Sequence, residues 1–127
     1  MVNGRASVDR YAEIVDLFDK LVATNPRIER KGATMPYTSV NGNIFSVLDK
    51  TGTLALRLPA EEREAFLKKY DTTLTRQYGV VRPEYVDVPE DLLRKTQTLK
   101  KYFDVSYDYA RALKPKPTTK TTKSKKK

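Results

Sequence analysis

Between Pro36 and Leu58 the chain reads PYTSVNGNIFSVLDKTGTLALRL, and two turns inside that stretch restrict its fold more than any other feature. Asn41-Gly42 supplies the positive φ angles of a tight hairpin, and Asp49-Lys50-Thr51-Gly52 supplies a second, longer turn. The segments between them alternate with a period of two, so three antiparallel strands are predicted. From Leu54 to Leu58 the leucines alternate with Ala55 and Arg57, which buries one face of this strand and turns the other toward solvent or a partner.

On either side the period returns to 3.6. From Ser7 to about Ala23 the residues Val8, Tyr11, Ile14, Val15, Phe18, Leu21 and Val22 recur at three- and four-residue spacing, predicting an amphipathic helix with Ser7 as N-cap and Asn25-Pro26 as its stop. A second helix opens at Pro59 as its first residue, with Glu61, Glu62 and Glu64 early and Lys68 and Lys69 late, and takes Ala65, Phe66, Leu67 and Tyr70 as its apolar side. Residues 74–88, LTRQYGVVRPEYVDV, predict two short strands around a turn, one of them at a sheet edge because Pro83 restricts pairing. A helical turn at Pro89–Leu93 then precedes, after the polar KTQT, a longer helix from about Leu99 to Leu113. Its stripe is Leu99, Phe103, Ser106, Ala110 and Leu113, with Tyr102, Val105 and Tyr109 beside it.

The reading is therefore an α+β chain ordered α-β-β-β-α-β-β-α, one domain over residues 1–113, which is enough chain for one core and too little for two. Residues 114–127 read KPKPTTKTTKSKKK, a composition that cannot offset the entropy of ordering, and predict a disordered basic tail. Of the 25 Lys and Arg, seven lie there: Lys114, Lys116, Lys120, Lys123, Lys125, Lys126 and Lys127. The remaining 18 face 16 acids, so the folded part is nearly neutral.

Composition removes whole classes of chemistry. Without Cys there is no thiol nucleophile, disulfide or cysteine-ligated metal, and without His the commonest general base and metal ligand are gone. No Gly-rich phosphate loop, EF-hand loop or nucleophile elbow occurs. No cofactor and no enzymatic activity is expected. The N-terminus has no apolar run of signal-peptide length and no stretch approaches a membrane span, so a cytoplasmic protein without membrane contact is expected.

Four features remain as candidates. Tail lysines spaced along a flexible strand can follow a phosphate backbone, although without Arg or aromatic residues they read no sequence, and such a tail can equally be a solvated terminus. Tyr102 through Ala110, YFDVSYDYA, offers rings that stack on bases or form an interface, or that belong to the core. The acids Glu61-Glu62 and Glu90-Asp91 stand where helices begin, which helix electrostatics alone explains. Arg57, mid-strand and opposite the leucines, either binds an anion or pairs with a glutamate of the adjoining helix.

VNGNIFSVLDKTGTLALRLPAEEREAFLKKY, with EYVDVPEDLLRKTQTLKKYFDVSYDYARALKPKP, resembles the N-terminal domain of the TfoX/Sxy family. The resemblance lies in the hairpin Asn41-Gly42, in Leu56-Arg57-Leu58, in the Glu-rich helix start from Glu61 to Phe66, and in the Tyr-Val strand running into Val-Pro-Glu from Tyr85 to Leu93. It spans Ser7 to Leu113. Where the family carries a Met-Phe-Gly-Gly type element, this chain has Thr34-Met35-Pro36-Tyr37, and any role of those glycines does not carry over. The resemblance implies a curved antiparallel sheet packed by helices and a regulatory role in bacteria. It also implies a second helical domain in many members, in place of which this chain has lysines. The expected function is a non-enzymatic regulatory or protein-interaction module whose partner is a protein. The alternative is a nucleic-acid-associated protein that grips nonspecifically through the tail.

Overall fold

The computed structural model describes residues 3–32 and 34–115. Among them the elements run α1 (Asn3–Ala23), β1 (Tyr37–Val40), β2 (Asn43–Leu48), β3 (Leu54–Arg57), α2 (Ala60–Lys69), β4 (Leu74–Gln77), β5 (Val80–Val88), α3 (Glu90–Leu93) and α4 (Thr96–Ala112). The strands form one antiparallel sheet in the order β1-β2-β3-β5-β4. The chain is α+β with a single core, as expected from the change of period.

Three boundaries differ from expectation. α1 starts at Asn3, so Ser7 lies inside the helix and does not cap it. Arg5 and Ala6 are strong helix formers, and Gly4, though a weak one, does not stop the helix. Pro59 is the N-cap of α2, not its first residue, and Ala65 is exposed, leaving Phe66 as the buried side chain of that helix. α4 begins at Thr96, because the polar KTQT contains no helix breaker.

The helices share one face of the sheet. α4 lies across β1, β2 and β3, α1 packs on α4, and α2 lies against β5. Ile14, Phe18 and Leu21 of α1 meet Leu99, Phe103 and Ala110 of α4 in one fully enclosed cluster with Phe45, Leu48, Leu54, Leu56, Leu58, Phe66 and Val86. Tyr107, outside the expected stripe, joins this core. The alternation foreseen in β3 holds for its leucines, all buried; Ala55, on the other face, is buried as well.

Two irregularities shape the sheet. Thr38 stands opposite Ser46 and Ser39 opposite Ile44, so Phe45 is an extra residue in β2. This bulge lets Phe45 and Ser46 both be buried, with the Phe45 ring 5.7 Å from Phe103 and 5.8 Å from Tyr107. At the other side Leu74 faces Val86 but Thr75 faces Arg82, leaving residues 83–85 of β5 with no opposite number in β4. Pro83, which has no N–H to give, sits in this gap. Of this pair β4 is the edge strand, and Pro83 is tolerated on the inner strand β5 because the ladder is interrupted there.

Helix ends and turns are tied by side chains. Asn43 Nδ2 donates to the carbonyls of Ala110 and Lys114 at 3.4 and 3.2 Å, closing the end of α4. Arg10 reaches Glu90 at 2.6 Å, and Arg94 bridges Glu13 and Glu90 at 2.7 Å each, joining α1 to the start of α3. Hydrogen bonds from Arg94 hold the Glu13 carboxyl below its usual range, and those from Arg94 and Arg10 do the same for Glu90.

Candidate functional site

The helices leave the second sheet face uncovered among the described residues, and a groove of about 310 Å³ runs across it. Strand alternation builds its floor: Tyr37, Ile44, Val47, Ala55, Tyr85 and Asp87 point away from the core because their neighbours point into it. Met35 stands on one side. Thr75, Arg76, Gln77 and Arg82, from the outer half of the β4–β5 hairpin, stand on the other. At the tip of that hairpin Tyr78 is 92% exposed and Val80 60%. Ile44 on the groove floor is 40% exposed, unusual for an isoleucine inside a strand.

One end of the groove is acidic. Asp87 faces Ala55 across the β5–β3 ladder, and the backbone of Asp49 bonds to Thr53, the residue just before β3. Asp87 Oδ1 accepts from Thr75 Oγ1 at 2.9 Å. Asp49 Oδ1 accepts from Thr51 N, Thr51 Oγ1 and Thr53 N at 2.9, 2.6 and 3.0 Å. Burial pushes the Asp87 carboxyl up, and the charge of Asp49 adds to it, against the Thr75 hydrogen bond. Among the described residues neither carboxylate has a cation within ion-pair distance. This sets a sign. A carboxyl that binds its proton more readily folded than unfolded loses stability as pH rises through its raised pKa. Asp87→Asn, which keeps an acceptor for Thr75, should therefore raise Tm slightly at neutral pH. The gain should vanish below the ordinary aspartate pKa of about 4, as a pH series of thermal melts would show.

Arg57 lies outside the groove lining, beside its floor residues Ile44 and Tyr85. Its Nε lies 2.7 Å from Glu84 Oε1, and its Nη1 donates to the Ile44 carbonyl at 3.3 Å. The carboxylate comes from the bulge of β5, not from the adjoining helix. Tyr109 also donates to Glu84, at 3.0 Å, and Tyr85 donates to the Ile44 carbonyl at 2.7 Å. Burial alone would raise the Glu84 carboxyl, but the hydrogen bonds from Arg57 and Tyr109 hold it below its usual range. Arg57 is a tie between β2, β3 and β5, and the anion-site reading is dropped on this geometry.

The remaining candidates disperse. Lys114 is exposed and its carbonyl accepts from Asn43, while Lys116, Lys120, Lys123, Lys125, Lys126 and Lys127 lie outside the described residues. Tyr107 is buried, and Tyr102 packs edge-on to Phe66 and Tyr70, its hydroxyl 3.5 Å from that of Tyr70. Burial, with Tyr70 adding to it, pushes Tyr102 up to about 12. These rings are structural. Glu61, Glu62 and Asp91 are exposed, and Glu90 is held in the ion pairs of α1 and α3. Among the described residues no group of three or more acids could hold a metal ion, and no helix is long and apolar enough to cross a membrane.

Asp87, Thr75 and Asp49 were not singled out from the sequence. The available signal was EYVDV, where Tyr85 and Asp87 alternate with Val86 and Val88, placing an acid on the interior of an inner strand. No family model matches the chain, and no curated protein or solved structure matches it either.

Proposed function

We propose that this domain is a non-enzymatic interaction module of regulatory type, and that its partner is a protein docking in the groove of the open sheet face. The observation that carries this is the floor of that groove. Ile44, Val47, Ala55 and Tyr85 form an apolar surface on the sheet face the helices leave open. Burying apolar surface is the main source of association free energy, and such surface left open marks interaction sites. The resemblance to TfoX/Sxy N-terminal domains supports the regulatory reading and, with it, a bacterial cytoplasmic setting.

A nucleic-acid reading rests on the tail. Within the folded part Arg10, Arg30, Arg57, Arg94, Lys100 and Arg111 are each engaged with an acid, which lowers their value as phosphate contacts.

The test places a photo-crosslinking amino acid at Val47, on the groove floor, or at Glu62, exposed on α2, and irradiates the full chain in an extract of the source organism. An adduct of discrete mass should form from position 47, fail to form from position 62, and disappear when Ile44→Arg blocks the groove. Crosslinking that is equal at both positions, or indifferent to Ile44→Arg, would overturn the proposal. A second arm titrates labelled duplex DNA with the full chain and with a chain ending at Leu113. Equal binding by both would place a nucleic-acid surface on the domain and displace the protein-partner reading.

A further inference from the structure

We infer that the docking partner inserts a lysine side chain into the groove, its aliphatic stem on Val47 and Ala55 and its ammonium between the carboxylates of Asp49 and Asp87. This rests on the reading of the groove as a protein-docking surface and specifies the chemistry of what docks.

Three observations lead there. First, the acidic end of the groove holds two carboxylates with no ion-pair partner among the described residues. Arg76 and Arg82 line the same groove, yet neither comes within 4.0 Å of Asp87 or Asp49. Arg82 lies instead over the Tyr85 ring, 6.0 Å from its centroid. The groups facing Asp87 are thus Asp49, the Thr75 hydroxyl and two arginines placed elsewhere along the groove. A carboxylate half removed from water beside a second one favours an arriving cation.

Second, hydrogen bonding has already divided each carboxylate. Thr75 takes Asp87 Oδ1; Thr51 and Thr53 take Asp49 Oδ1. Among the described residues each Oδ2 has no donor. A guanidinium binds best through two parallel N–H donors to both oxygens of one carboxylate; the three donors on Asp49 Oδ1 block that at Asp49, and the Thr75 hydroxyl competes with it at Asp87. An ammonium is a compact charge with three rotatable donors and can take one oxygen from each of two acids.

Third, the floor leading to the acids is apolar. A lysine buries its methylene stem along such a surface while its head reaches the polar end. A volume of about 310 Å³ lies at the lower bound of small-molecule pockets, which suits one or two inserted side chains and not a large cofactor.

The experiment records 1H–15N spectra of the full chain during titration with four probes. These are Ac-Val-Lys-Val-NH2, the same peptide with Nε-acetyl-lysine, Ac-Val-Arg-Val-NH2, and n-butylammonium chloride. The lysine peptide should give saturable shifts at the amides of Val47, Ala55 and Asp87. Acetylation should weaken it about tenfold, the ratio that a charge-assisted contact worth about 1.4 kcal/mol produces. The arginine peptide should bind no tighter than the lysine peptide, and butylammonium should bind more weakly because it lacks the flanking residues. In Asp87→Asn the lysine peptide should fall to the level of its acetylated form, while the acetylated form should be unchanged. Tail lysines compete with every probe alike, so the ratios stand.

Equal binding of the lysine and acetyl-lysine peptides would overturn the inference while leaving protein docking in place. Tighter binding of the arginine peptide would overturn the choice of lysine. Butylammonium binding as tightly as the peptide would assign the site to a small amine. Absence of saturable shifts with every probe would remove the lysine site, and the crosslinking result would then decide the docking reading alone.

Discussion

Phe103→Ala should destabilise the domain by about 3–5 kcal/mol. Phe103 is fully enclosed at the crossing of α4 and the sheet, its ring against Phe45, the extra residue of the β2 bulge. Its removal leaves a cavity whose lining belongs to α4 and β2, so neither side can close on it without moving the other. A loss of this size is a large fraction of the 5–15 kcal/mol that domains of this kind possess. Urea unfolding should show a midpoint well below that of the parent with an unchanged slope, and amide exchange should speed up throughout the core. A change under about 1 kcal/mol would mean that the β2–α4 junction relaxes freely, against the packing described above.

Phe66→Ala should cost a similar amount, about 3–5 kcal/mol, but with a different signature. Among the described residues of α2, Phe66 alone is buried, and it holds that helix against Tyr102 of α4 at a ring distance of 5.0 Å, with the ring of Tyr70, the C-cap of α2, 4.8 Å away. Without it α2 keeps only the half-buried Leu67 and Tyr70 against the core. A ten-residue helix has little stability of its own in water. Exchange should therefore accelerate in residues 60–69 before it does in β2 or α4, and proteolysis should cut there first. Uniform acceleration across the sheet would show instead that α2 and the core unfold as one unit.

The two phenylalanines also show what was legible in the sequence. Phe103 and Phe66 announce themselves because their neighbours repeat at helical spacing, and Asn41-Gly42 fixes a hairpin wherever it stands between alternating segments. Ends were less legible: KTQT lacks a breaker, and before Ser7 the one unfavourable residue, Gly4, disfavours a helix without stopping it, so the helices run through both stretches. Arg57 was visible as a polar residue on a strand's outer face, but its carboxylate, Glu84, sits 27 positions away in a bulge that no local pattern announces. The groove was least legible. Its floor takes residues from β1, β2, β3 and β5, and its wall comes from the outer hairpin, so no window of sequence contains it.

β5 changes its company halfway along. Tyr85–Val88 is held on one side by β3, whereas Val80–Arg82 is paired with β4 alone, and residues 83–84, with no register partner in either strand, lie between them. Mechanically this makes the outer hairpin a lever on a short pivot. Pro83 limits the swing by fixing one of the pivot's dihedrals, and the contacts of Glu84 with Arg57 and Tyr109 act as a latch. Any change in the width of the groove would therefore fall on this hinge and on the Glu84 contacts before it reached the core.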